Sequence, residues 1–480
     1  MYLEEMKRLF SLIIFLFCHQ LYGQTNINLY DERPSTFYSL NSLSISNLNS
    51  DSYFTISPRF YYLNSTSEKS NYSTFFYGGK FSSKVKNKIY IDATLESIKS
   101  GNSLHVQDFI DSLEIFPGKA RIIEKGYYAN FRIKYNASKY FTFSTGKSSH
   151  FIGDGYRSLF LSDESSSYPF FLIKTSVWKI HYYNLFTTFL DIQQPDNDRK
   201  KHSTIHYLDF SLNKNISFGI FESVIWQAKG EGYNRGYDIE YLNPVIFYRP
   251  VEFSKASPDN VLMGLNGSFT YKHFLLYTQF ILDDLNISRR KQADSDNYSS
   301  GFFQNKFGYQ LGLKISSPYQ NIPLSLLFEY NQVQPYTYAH KTAMQSYTHY
   351  NQALTHPAGA NFKEAILLLN YQIKKSKVLF KYNYIISGKD TNNTHYGQNI
   401  FLSDFEAERD GEQFSYGNFN GQGIKTHLQN IYAEYSYSFS KFDLVLGLAY
   451  RDEKSSVLES RNFWLNFGIR SEFFNPFLDY

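Results

Sequence analysis

Apolar and polar residues alternate along most of this chain, and the period of two returns in one segment after another. The clearest apolar sets are Ile89, Ile91, Ala93, Leu95; Ala129, Phe131, Ile133, Tyr135; and Phe307, Tyr309, Leu311, Leu313, Ile315. Near the end come Val378, Phe380, Tyr382, Tyr384; Ile431, Ala433, Tyr435, Tyr437, Phe439; Leu444, Leu446, Leu448, Tyr450; and Phe463, Leu465, Phe467, Ile469. Lys306, Gly308, Gln310, Gly312 and Lys314 interleave with the 307–315 set, so each strand presents one apolar and one polar face. The pattern predicts about eighteen strands, at 52–62, 71–82, 87–96, 126–136, 139–147, 169–181, 183–192, 203–212, 216–226, 260–271, 273–282, 304–316, 321–332, 363–374, 376–387, 427–439, 441–450 and 462–474. Residues 24–51 carry weak periodicity and read as an irregular N-terminal periplasmic segment.

The connections narrow the fold class. Lys84-Val85-Lys86, Asn136-Ala137-Ser138, Tyr182-Tyr183-Asn184, Asn213-Lys214-Asn215, Lys272, Ser317 to Gln320, Lys375-Ser376 and Ser440 read as tight turns. They alternate with long links at 97–125, 148–168, 227–259, 283–303, 333–362 and 388–426. A soluble β-sandwich mixes its loop lengths and keeps its polar face outside. Short turns at one end and long loops at the other are the pattern of an outer-membrane barrel. The expected fold is therefore all-β: a transmembrane antiparallel β-barrel of about eighteen strands over residues 52–480, with long extracellular loops. Alternation puts Leu446 on the lipid face and Val445 toward a wet lumen.

Composition agrees. Aromatic residues are 19% of the chain, with 43 Tyr and 45 Phe, types that favour strands and membrane interfaces. Mean hydropathy is -0.41 and no run of about 18 apolar residues occurs, so a helical membrane protein is not indicated. Lys7-Arg8 before the apolar run Leu9 to Phe17 reads as a secretory signal cleaved after Gly23. Cys18, the single cysteine, lies within it, which leaves the mature chain without disulfides or thiolate metal ligands. The net charge of +4 is small and no basic stripe suited to nucleic acid stands out. Arg289-Arg290-Lys291 reads as solvated or lipopolysaccharide-facing surface.

Two loops carry the candidate chemistry. The first presents Asp154, Tyr156, Arg157 and Asp163 between glycines. The second presents Tyr233, Arg235, Tyr237, Asp238, Glu240 and Arg249. Interleaved Arg, carboxylate and Tyr suits polysaccharide, because a guanidinium forks onto carboxylates or vicinal oxygens while Tyr offers an apolar face and a hydroxyl. The same groups could instead pair with one another and pack infolded loops against the barrel wall.

The stretches Gly153-Asp-Gly-Tyr-Arg-Ser-Leu-Phe-Leu-Ser-Asp163 and Tyr237-Asp-Ile-Glu-Tyr-Leu-Asn-Pro-Val-Ile-Phe-Tyr-Arg-Pro250, with Glu252, resemble the capsule-assembly Wzi-like family, and most closely its gliding-motility RemB-like branch. The resemblance runs from about residue 50 to the C-terminus. It implies an eighteen-stranded barrel that holds capsular polysaccharide at the cell surface, or one that takes part in surface motility with other machinery proteins. The helical periplasmic bundle of the better-known capsule proteins has no counterpart in residues 24–51.

Enzymatic readings find little support. His340, His349 and His356 share one loop and could be imagined around a metal, but no metal-ligand spacing or G-x-S-x-G elbow occurs. No cofactor is implied. Val106 to Phe116 reads as a short helix on a loop, and the terminal Leu478 and Tyr480 resemble a barrel-insertion signal. The leading expectation is a non-catalytic barrel that binds surface polysaccharide. The alternatives are a motility or adhesion component and a porin.

Overall fold

A computed structural model describes residues 45–48, 52–67, 71–100, 126–194, 199–230, 233–244, 259–285, 301–317, 323–391 and 394–471, apart from 407, 410–411, 414–415 and 441. Eighteen long strands follow one another as antiparallel neighbours. We number them β1 Tyr53–Thr66, β2 Asn71–Val85, β3 Ile89–Ser100, β4 Gly126–Asn136, β5 Phe141–Ser148, β6 Tyr168–Val177, β7 Ile180–Leu190, β8 Lys200–Ser211 and β9 Ile216–Gln227. The second half is β10 Asn260–Tyr271, β11 Phe274–Asp284, β12 Lys306–Ser316, β13 Leu324–Val333, β14 Phe362–Ile373, β15 Ser376–Lys389, β16 Ile424–Ser438, β17 Asp443–Lys454 and β18 Glu459–Arg470. Tyr61 to Thr66 of β1 pair with Arg470 to Leu465 of β18, so the sheet closes into a barrel and leaves no long edge.

Closure involves one element that the sequence pattern does not announce. Ile45–Leu48, within the stretch expected to be irregular, is a strand paired with Tyr53 to Ile56 of β1. The interval between this partner and β18 falls at residues 57–60, which include Pro58. Proline lacks the N–H that a ladder uses, so a change of partner there costs little. The Ser471 hydroxyl accepts from the Phe60 N–H at 2.9 Å within that interval.

Facing follows the alternation. Leu311, Phe328, Leu446, Leu465 and Phe467 point outward, about half exposed, and form the apolar band that a bilayer requires. Gln279, Gln310, Glu329, Glu364 and Asn383 point inward and are buried. Val445 also points inward as expected, but it is 2% exposed, so the surroundings are packed where the sequence reading assumed water.

One turn is misplaced by the sequence reading. The β6–β7 hairpin turns at Trp178-Lys179, and Tyr182 and Tyr183 lie within β7 opposite Thr175 and Lys174. Trp178 has a φ of 55, the left-handed conformation that tight hairpins need and that Asn or Gly usually supplies. Asn184 therefore looked like the turn and the tryptophan like strand. Exposed at 78%, Trp178 sits at the short-turn end, where an aromatic ring suits a membrane interface.

The signal stretch, the 106–116 segment, Arg249, Arg289-Arg290-Lys291 and the C-terminal residues 472–480 lie outside the described residues.

Candidate functional site

The first candidate loop folds into the lumen and becomes its core. Ile152, Leu159, Phe160 and Leu161 are fully buried, packed with inward residues such as Leu185, Ile205, Phe221 and Leu262 and with Tyr338, Leu354 and Ile400 from other long loops. Phe160 stacks on Phe221 with ring centroids 4.7 Å apart. Space for it exists because β10 carries Gly264, where a Cβ would come within 2.4 Å of the Phe160 ring. Ile152 and Leu161 pair backbone to backbone, which makes the loop a compact hairpin-like plug.

Polar side chains of the wall hold that plug. The Glu329 carboxylate accepts from the Tyr156 and Arg157 N–H groups at 2.7 and 3.0 Å and from the Tyr277 hydroxyl at 2.7 Å. Gln279 accepts from Leu159 N–H at 2.9 Å and donates to the Ile152 carbonyl at 3.0 Å. Gln310 donates to the Arg157 carbonyl at 3.0 Å and to Asn331 at 2.8 Å. Arg157 itself is 1% exposed. Its guanidinium meets Glu164 at 3.0 Å and Glu364 at 3.3 Å. Glu364 also accepts from Asn331 at 2.9 Å and Asn383 at 2.5 Å.

His356 completes this network. Its Nδ1 accepts the Ala358 N–H at 3.1 Å, so the ring proton sits on Nε2, which donates to Glu364 at 2.6 Å. Burial keeps that imidazole below its ordinary pKa. His349, by the same logic, accepts the Leu190 N–H on Nδ1 at 3.0 Å, and burial pushes it down to about 3. His340, His349 and His356 thus have separate surroundings instead of one shared metal site. Among the described residues no group of three His, Cys, Asp or Glu is placed to hold a metal ion.

Tyr156 is buried against Leu327, Ile366 and Leu368, with the Arg157 guanidinium 4.9 Å from its ring centroid. Asp154 is half-buried at the lower side of the plug, and burial raises its carboxyl pKa, opposed by the Lys314 ammonium. Asp163 is half-buried. The members of the first motif are therefore brought together, but as the inside of a plug.

The second candidate loop lies elsewhere. Tyr237 and Tyr241 pack with Val224, Trp226 and Val261, which are outward-facing residues of β9 and β10. The Tyr237 hydroxyl donates to the Ser203 carbonyl at 2.9 Å, and its ring sits 4.9 Å from His202 and 5.1 Å from Trp226. Arg235 holds Asp238 and Asp259, each at 2.8 Å, and Tyr241 donates to Asp259 at 2.8 Å. Asp238 caps the turn by accepting from the Glu240 N–H at 3.0 Å, and Glu240 is exposed. The loop thus covers the outer wall. On the same outward face Asn184, His206 and Glu222 stand side by side and are almost fully buried, so this sector is not a lipid surface. Tyr233 belongs to a two-residue pairing with Lys229-Gly230, its side chain outside the described residues.

Residues that the sequence reading passed over form the roof at the long-loop end. Lys306 reaches up to Asp404 at 2.8 Å and to the Ala339 carbonyl at 2.9 Å, tying two loops to the wall. Asn361 donates to the Gly388 and Gln422 carbonyls and accepts from Gly421 N–H. Above them runs an aromatic row: Phe405 lies 6.3 Å from Phe303, Phe303 5.1 Å from Phe302, and Phe302 5.3 Å from Tyr416. Phe405 is 44% exposed and nearby Phe419 60%. The signal for both networks was in the sequence as polar residues at alternate strand positions and aromatics in polar loops, but neither reveals which distant loop it meets.

No protein-family model matches this chain, and no curated protein matches its sequence. Solved structures do share its fold. One is Wzi of Escherichia coli, described as an outer-membrane protein involved in group 1 capsule assembly and a carbohydrate-binding β-barrel. It is 14% identical, with 88% of this chain and 84% of that one covered, at a TM-score of 0.53. A BenF-like porin from Pseudomonas fluorescens Pf-5 aligns at 9% identity over 89% of this chain and 100% of that one, with a TM-score of 0.47. Pseudomonas aeruginosa OprD aligns at 10% identity over 92% and 100%, with a TM-score of 0.44. At such identities the likeness to Wzi establishes a shared barrel fold.

Proposed function

We propose that this protein is a non-catalytic outer-membrane barrel, with its long-loop end at the cell surface, that binds surface or capsular polysaccharide on its roof. The observation that carries the reading is the filling of the lumen. Against the wall from β6 to β16 the long-loop half of the barrel is a packed apolar core crossed by a buried ion network, so a solute crossing that sector would have to displace both. That weighs against a porin, since an eighteen-stranded barrel conducts only when its interior is left aqueous. What remains for function at that end is the exterior of the folded loops. There Phe405 and Phe419 are exposed and Tyr416 is half-buried, and aromatic faces suit the apolar faces of sugars. The carbohydrate binding ascribed to the Escherichia coli Wzi barrel fits the same reading.

On this reading Tyr156 and Arg157 act by holding the plug, and Arg235, Tyr237 and Asp238 by fixing the outer-wall loop. Asp163, Tyr233, Glu240 and Arg249 stay candidates for glycan contact at the margins, whereas Asp154 lies beneath the plug beside Lys314. A motility or adhesion role, in the manner of the RemB-like branch, would use the same exposed aromatics to meet a protein. Binding of the purified, folded barrel to the organism's extracted surface polysaccharide decides between them. Saturable binding that Phe405→Ala with Phe419→Ala weakens by roughly tenfold or more, at unchanged stability, is the expected result. A well-folded wild type that binds no polysaccharide would refute the reading.

A further inference from the structure

The outer wall changes character along four neighbouring strands. Reading toward the long-loop end, β15 runs Val378, Phe380, Tyr382, then Tyr384; β16 runs Tyr435, Ala433, Ile431, then Gln429, His427, Lys425. β17 runs Leu446, Leu448, Tyr450, then Asp452, Lys454; β18 runs Phe467, Leu465, Phe463, then Arg461. The register aligns these steps: Gln429 stands opposite Asp452, which stands opposite Arg461, and His427 opposite Lys454. Apolar therefore gives way to polar at one height on β16, β17 and β18, while β15 keeps Ile386 opposite His427, and that line marks the edge of the bilayer.

Immediately above the line lies a cleft of about 510 Å³ lined by Tyr384, Lys425, His427, Gln429, Asp452, Lys454, Ser455 and Ser456. The Tyr384 hydroxyl meets His427 Nδ1 at 2.8 Å. Arg461 is engaged by Asp452 at 3.4 Å and Glu459 at 2.9 Å, which cancels much of that charge. Among the described residues neither Lys425 nor Lys454 forms an ion pair, and both are exposed. The cleft thus presents two ammonium groups against one lining carboxylate, Asp452, which is already engaged by Arg461.

We propose that this cleft is a binding site for the phosphorylated head group of a membrane glycolipid of the lipid A class, with its acyl chains lying down the Leu446, Leu448, Phe463 and Leu465 wall. Lys425 and Lys454 supply the charge, while Gln429 and Ser456 offer hydrogen bonds to sugar hydroxyls; the Ser455 hydroxyl is held within its own turn by Val457 and Leu458. Clustered cations at the head-group level are the usual means of holding anionic lipid. The inference rests on the outer-membrane orientation above but not on polysaccharide binding.

The test is native mass spectrometry of the intact barrel in nanodiscs of zwitterionic lipid. It is challenged with bis-phosphorylated lipid A, with the same lipid after phosphate removal, and with inorganic phosphate. The wild type is expected to retain one phosphorylated lipid A. Lys425→Gln with Lys454→Gln should lower that affinity by roughly tenfold or more, and Lys341→Gln, an exposed loop control, should not. Equal retention by wild type and the double variant, equal binding of the dephosphorylated lipid, or capture of inorganic phosphate instead would overturn the proposal. Heat-modifiable gel mobility reads insertion separately. A barrel that fails to insert refutes the membrane orientation itself, and this inference with it, whereas insertion without the lipid adduct refutes this inference alone.

Discussion

At position 157 one guanidinium lies between Glu164 and Glu364, with Glu329 bound to its own backbone N–H. Truncating it would leave buried carboxylates without their cation, a change that costs about 3–5 kcal/mol when a buried pair is broken from one side. Arg157→Ala should therefore unfold at clearly lower urea than wild type. Arg157→Lys should recover only part of the loss, because an ammonium cannot fork to two acids. Equilibrium unfolding in micelles checks this, and a wild-type midpoint for Arg157→Ala would show the network to be incidental. The sequence marks Arg157 as exceptional by its glycine-flanked loop, and its pairing with carboxylates was one of the two open readings. Its partner Glu364 lies 207 residues away, and single-sequence pattern carries no information at that range.

At the scale of elements, the strands were legible because most keep a period of two, with continuous apolar runs only in strands such as β6, β9 and β14, and the short and long connections because strands stop on polar residues. The Trp178 turn was not, since nothing in its residue types signals a positive φ. Nor was the wetness of the lumen: alternation tells which way Val445 and Gln310 point, but not that a loop fills the space they face. The infolded loops make one further prediction. They carry His150, His349 and His356, and burial holds all three imidazoles below their ordinary range, His349 at about 3. In the unfolded chain each would take up a proton near pH 6.5. The folded state binds fewer protons below that pH, so stability present above about 6.5 is lost as pH falls toward 3. Limited proteolysis between about pH 7 and 4 should show the 334–361 loop becoming cleavable before the strands. Greater resistance at the lower pH would contradict this sign.

For the whole molecule, the two loop motifs that looked like one site are separated by the barrel wall. One fills the interior through Phe160 and Arg157, and the other clads the exterior through Tyr237 and Arg235. Their arginines and carboxylates mostly pair with one another, which moves the candidate binding surface to the roof above. Hydrogen-exchange mass spectrometry of the folded barrel with and without the organism's surface polysaccharide tests that assignment most directly. Polysaccharide should slow exchange in peptides covering 301–305 and 394–423 and leave the 151–163 plug, already protected, unchanged. Protection confined to the 151–163 or 233–244 segments, with the roof unaffected, would contradict the account and return the site to the two motifs.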